Sequence, residues 1–161
     1  MGIIAREPEG KNFNPPPEGI HVACCCDVVD LGLADHGFGE KHFVELRWQL
    51  EDEDAESGKR FVVRRRYTLS LSEKATLRKD LETWRGKKFT KEELAGFDLE
   101  RLIGVAAQVQ IVHRLSEQGK TFANVSAVIP TGKGQKNPGI VDYTRQAARP
   151  TAQTADEEAP F

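Results

Sequence analysis

The sequence predicts a mainly β domain with one substantial helix inserted late, and three observations carry that expectation. Five segments rich in Val, Ile, Phe, Tyr and Thr repeat with a period of 2, and one segment between the third and fourth switches to a period of 3.6. Both ends lose apolar spacing in favour of Pro, Gly and polar residues. A chain of 161 residues fits one such domain and is long enough to bury a core without disulfides.

Residues 1–18 hold Pro8, Pro15, Pro16 and Pro17 with Gly2 and Gly10. Proline neither donates to a ladder nor continues a helix, so this is an irregular N-terminal arm. From Gly19, IHVACCCDVVDLGL reads as a first strand of roughly ten residues ending at Gly32. In KHFVELRWQLE, Val44, Leu46, Trp48 and Leu50 share one face, while Phe43, Glu45, Arg47 and Gln49 share the other. The acidic run Glu51 to Glu56 separates this second strand from a third, KRFVVRRRYTLSL, as a hairpin.

After Ser72, a good N-cap, Leu77, Leu81 and Trp84 fall at helical spacing and Gly86 supplies a stop, predicting a helix of about 13 residues. Thr90 with Glu93 has capping-box spacing for a short second helix, and Asp98 caps a further turn leading to Gly104. A fourth strand follows with Val105, Ala107, Val109 and Ile111 in phase. The fifth has Ala123, Val125, Ala127 and Ile129 facing the core, and Pro130 ends it. Residues 131–161 have no apolar spacing and are expected to be disordered.

Three strands, a helix and two strands is the order of the OB-fold, a five-stranded Greek-key barrel with its helix between strands 3 and 4. The expectation is therefore an OB-fold barrel over residues 19–130, although SH3-like barrels and other small mixed folds share parts of that order. In an OB-fold the binding face is formed by strands 2 and 3 and the flanking loops.

Charge distribution says more than net charge. The chain carries a formal −2, but Asp156, Glu157 and Glu158 account for that sign, leaving 23 basic against 22 acidic side chains in residues 1–155. Lys59, Arg60, Arg64, Arg65 and Arg66 place five cations in an eight-residue window directly after the acidic run. No apolar stretch approaches the roughly 20 residues of a membrane span. The segment MGIIAREPEGKNF lacks the apolar core of a signal peptide, so a cytoplasmic location is expected.

Cys24, Cys25 and Cys26 are consecutive, and His21, His36, His42 and His113 show no ligand spacing. The cysteines read as small buried strand residues; no metal or cofactor is expected. No Ser-His-Asp arrangement, P-loop or dinucleotide fingerprint is present, and the carboxylates of Glu51 to Glu56 are consecutive rather than convergent. The chain is expected not to be an enzyme.

Unpaired nucleic acid offers a line of phosphates to neutralise and base faces to stack upon. Cations interleaved with aromatics meet that need. The candidates are Lys41, Phe43, Arg47 and Trp48 on strand 2, Lys59, Arg60, Arg64, Arg65, Arg66 and Tyr67 on strand 3, and Lys120 and Phe122 from the last hairpin, with His113 nearby. Phe43 and Phe122 lie in polar phases of their strands. Trp48 and Tyr67 share phases with apolar residues, so a core role competes with stacking. Three consecutive arginines put cations on both faces of a strand, which a bulge or a strand end would accommodate.

The segment Asp156-Glu157-Glu158-Ala159-Pro160-Phe161 resembles the acidic tip of bacterial-type single-stranded DNA-binding proteins. RRRYTLSLSEKATLRKDLETWRG and GKTFANV resemble divergent bacteriophage proteins of that kind. The resemblance implies sequence-nonspecific binding and protection of single-stranded DNA in replication, recombination or repair, within the bacterial host cytoplasm. It also implies that residues 156–161 recruit partner proteins: a pocket takes the Phe ring, and basic groups meet the carboxylates. Competing readings are a protein-interaction adaptor, an RNA-binding OB domain and a metal-dependent nuclease. The sequence leaves open the subunit number and the nucleotides covered.

Overall fold

The computed structural model describes residues 15–35 and 39–146. Alternation of apolar and polar residues delivers five strands: β1 (Gly19–Asp35), β2 (Glu40–Glu53), β3 (Arg60–Thr68), β4 (Ala106–Leu115) and β5 (Thr121–Ile129). Two helices, α1 (Thr76–Arg85) and α2 (Lys91–Ala95), and a 3₁₀ turn at Leu99–Leu102 separate β3 from β4. The strands form one antiparallel sheet in the order β3-β2-β1-β4-β5. Its two edges, β3 and β5, approach one another without ladder hydrogen bonds, so the sheet curls but stays open along that seam.

β1 is 17 residues long, longer than the sequence suggests, because it serves two neighbours. Its first residues, Gly19 to Cys24, pair with β4, and residues from Ala23 to Asp35 pair with β2. Two bulges let it bend between them. The first lies between Cys25, opposite Trp48, and Asp27, opposite Arg47, so Cys26 is the extra residue and the phase of the strand flips there.

One face of the curled sheet encloses the core. Val44, Leu46, Trp48 and Leu50 of β2 are buried on that face, as alternation predicts. From α1, Leu77, Leu81 and Trp84 join them, each burial stabilising by about 1.5–3 kcal/mol. Trp48 and Trp84 meet edge to face with centroids 6.0 Å apart, and the Trp84 indole N–H donates to the Ala106 carbonyl at 2.8 Å. α1 starts at Thr76, later than Ser72, because Ser72 is spent on a turn whose carbonyl accepts from the Ala75 amide. Gly86 ends α1 in the left-handed conformation at φ 81°, where a residue without Cβ is least strained. Thr90 and Glu93 form the expected capping box on α2, and Asp98 caps the 3₁₀ turn.

β5 departs from its expected pattern. The register shifts between Gln110 and Ile111, which face Ala127 and Val125, making Ser126 the extra residue. The phase changes there, so Val125 and Val128 are buried, while Ala127 and Ile129 are only half-buried.

The three cysteines are fully buried and free. Cys25 packs in the core; Cys24 lies opposite Gln49 on the other face of the sheet. Burial pushes the Cys24 and Cys25 thiols up, and burial together with the Asp27 charge pushes Cys26 up to about 12.

Residues 131–146, expected to be disordered, instead follow a defined irregular path back over the sheet. Side-chain partners, invisible to apolar spacing, hold them. Residues 147–161 of that expected tail, including Asp156 to Phe161, and residues 1–14 of the expected arm lie outside the described residues. Among the described residues, no helix is long and apolar enough to cross a membrane.

Candidate nucleic-acid interface

The outer face of the sheet, opposite the core, divides into two regions. The first lies over β1 and β2, where residues 137–146 cross as a strap. Gln49 holds the strap at both ends of its amide: its side-chain nitrogen donates to the Val141 carbonyl at 2.6 Å, and its oxygen accepts from the Val141 amide at 2.7 Å. Arg60 donates to the carbonyls of Pro138 and Gly139. Arg47 donates to the Tyr143 hydroxyl at 3.2 Å and to Gln146 Oε1 at 2.7 Å, while pairing with Glu45 at 2.7 Å.

Asp27 is the anchor of the strap. Fully buried, it accepts from the Tyr143 hydroxyl at 2.7 Å, the Gln146 amide at 2.8 Å and Arg145 Nε at 3.3 Å. Burial alone would raise its pKa, but the hydrogen bonds from Gln146, Tyr143 and Arg145 outweigh that and hold it below the ordinary aspartate value. The Tyr143 hydroxyl, buried and bonded to that carboxylate, is pushed up to about 12.

The second region is the seam between β3 and β5. Val62, Arg64, Arg66 and Thr68 alternate outward along β3 and are exposed. A groove of about 500 Å³ runs beside them, lined by Arg64, Arg65, Arg66, Arg114, Asn124 and Ser126. Phe122, half-exposed at 50%, lies opposite Arg114 in the β4–β5 register. On the far side, the Arg66 guanidinium sits 4.2 Å from the Phe43 ring centroid, a cation–π stack on the outer face of β2 and β3.

The arginine triplet is accommodated neither by a bulge nor by the strand's end, since Arg64, Arg65 and Arg66 pair in regular register with Arg47, Leu46 and Glu45. Arg65 occupies the inward phase at the open seam, where Asp80 of α1 supplies a counter-charge at 3.0 Å. It also reaches the Ser126 carbonyl at 3.4 Å and lies over the Tyr67 ring, bridging the two sheet edges.

The sequence candidates therefore separate. Arg64, Arg65 and Arg66 line the seam groove, with Phe43 stacked under Arg66 and Phe122 paired opposite Arg114. Lys41, Lys59 and Lys120 are exposed at strand ends and turns. Trp48 belongs wholly to the core, and Tyr67 is buried with its hydroxyl donating to Asp80 at 2.7 Å, so neither offers a base a stacking face. Arg47 and Arg60 direct their donors into the strap. His113 is tied to the N-terminal arm, its ring meeting the Pro16 carbonyl at 2.7 Å and its amide donating to Glu18.

Sequence reasoning missed Arg114, Asn124 and Ser126 in the groove and Asp27, Tyr143 and Arg145 in the strap. Arg114 continues the outward phase of Gln108 and Gln110, a signal open to reading. Asp27, an acid directly after three cysteines and before Val28 and Val29, also signals a built partner, because a buried carboxylate requires donors. A scan against protein-family models and a search of curated proteins find no match to this chain.

The geometry suits polyanion binding. Four guanidinium groups border one groove, and within it Arg65 meets a carboxylate of the chain, that of Asp80. Arginine forks match phosphate oxygens bidentately, and a neighbouring exposed ring gives bases a surface to stack on.

Proposed function

We propose that this chain binds single-stranded DNA without sequence preference, as an OB-type protein of replication, recombination or repair resembling those of bacteriophages. The observation that carries the reading is the arginine-lined seam groove, with the exposed Phe122 paired opposite Arg114 of its lining. The strand order supports it: β3-β2-β1-β4-β5 is the order of an OB barrel opened between its third and fifth strands, with the helix between β3 and β4. A long bulged β1 that pairs with both β2 and β4 fits the same plan.

In this reading the acidic segment Asp156 to Phe161 recruits other proteins of DNA metabolism, a role that rests on its sequence alone. Deleting those six residues leaves DNA binding intact and abolishes capture of such partners.

The decisive experiment is anisotropy of a labelled oligo-dT titrated with the full chain at several salt concentrations. Tight binding that weakens steeply with salt supports the reading. No binding in dilute buffer overturns it and favours a protein-only adaptor; preference for a matched RNA strand reassigns the ligand, and metal-dependent shortening of the oligonucleotide reassigns the chain as a nuclease. Intrinsic tryptophan emission is a poor reporter, because Trp48 and Trp84 are both buried in the core.

A further inference from the structure

The strap crosses the outer face of β1 and β2, adjacent to where the proposed DNA groove begins: Arg47, held by the strap, lies directly opposite Arg64 of the groove. Resting on the reading of the seam as a DNA groove, we propose that the strap is a fixed wall, which confines an unpaired strand to the β3–β5 seam and denies it the face of β1 and β2.

The chemistry beneath the strap separates a wall from a displaceable lid. A lid covers a surface that suits the ligand. The surface here carries the Asp27 and Glu45 carboxylates beside Arg47 and Arg60, a balance that offers a polyanion no net attraction. Removing the strap would also exchange three donors on Asp27 and both backbone partners of Gln49 for water, a net loss of about 0.5–1.5 kcal/mol for each hydrogen bond. At the seam the balance is reversed: four arginines border the groove against the Asp80 carboxylate that meets Arg65. A phosphate chain therefore gains at the seam and loses under the strap.

Hydrogen exchange of the full chain, free and saturated with oligo-dT, tests this. The Val141 and Gln146 amides, bonded to Gln49 and Asp27, report the strap. A wall keeps or increases their protection in the complex, while residues 62–66 and 122–126 become more protected. Loss of protection at Val141 and Gln146 on saturation overturns the wall and makes the strap a lid, leaving DNA binding itself standing. Absence of any complex overturns the functional reading, and the wall with it.

A second measurement uses the full-length double variant Tyr143→Phe, Arg145→Gln, which loosens the strap. A lid holds part of the population closed and so lowers apparent affinity; loosening it tightens oligo-dT binding by about tenfold or more. A wall leaves affinity within about twofold. Tightening of the first size overturns the proposal.

Discussion

The two halves of the outer face use the same residue type for opposite ends. Over β1 and β2, Arg47 and Arg60 are consumed by the chain itself, in bonds to Glu45 and to carbonyl, hydroxyl and amide oxygens of the strap. At the seam, Arg64 and Arg66 stand exposed on β3 and Arg114 on β4. Arginine count along a strand therefore says little about which side chains stay exposed. Over β1 and β2 the acceptors are Glu45, next but one to Arg47 along the strand, and strap residues 78 to 99 positions away.

The comparison breaks most readily at the seam. The triple variant Arg64→Ala, Arg66→Ala, Arg114→Ala is expected to lower oligo-dT affinity by at least about 100-fold, since each charge-assisted contact is worth about 1.5–3 kcal/mol. Its melting temperature should stay close to that of the parent, and both are read from anisotropy and thermal denaturation. Unchanged affinity would move the site off the seam. Phe122→Ala follows, with an expected loss of about 1–3 kcal/mol in oligo-dT binding from lost base stacking, seen in the same titration.

The strap side should respond in stability rather than affinity. Asp27→Asn is expected to cost about 1–3 kcal/mol in urea denaturation at neutral pH, because the amide cannot accept every donor that the carboxylate does. The effect has a pH signature. The folded-state pKa of Asp27 is lowered, so its contribution is complete above the unfolded value of about 3.9 and is lost as pH falls through the folded value. The difference between parent and Asp27→Asn therefore narrows below about pH 4, and a constant gap would show that the carboxylate's charge is not what holds the strap. Smallest of all, Arg64→Ala alone should reduce the slope of log affinity against log salt by about 0.7, the value for one phosphate contact on a single strand.

Much of the sheet was legible because alternation is a local signal. β2 reads correctly from Val44 to Leu50, and the capping box at Thr90 and Glu93 announces α2 from two residues. The register of β5 was not legible, since a single extra residue at Ser126 reverses inside and outside without altering composition. The strap was misread for a related reason: residues 131–146 bury little apolar surface and are held by hydrogen bonds to Asp27, Gln49, Arg47 and Arg60, partners that only the fold brings near. At the site, cations and rings were visible, but Trp48 and Tyr67 could be assigned to the core only once α1 was seen to cover them.

The run of three cysteines gives the molecule a built-in chemical clock. Because each thiol is buried and its ionisation suppressed, an alkylating reagent at neutral pH finds almost no thiolate in the native state and must wait for a local opening. Cys24 faces the side that residues 137–146 cover, whereas Cys25 is sealed within the core. Their separate labelling rates time two distinct events in one tryptic peptide: detachment of the overlying segment and rupture of the sheet itself.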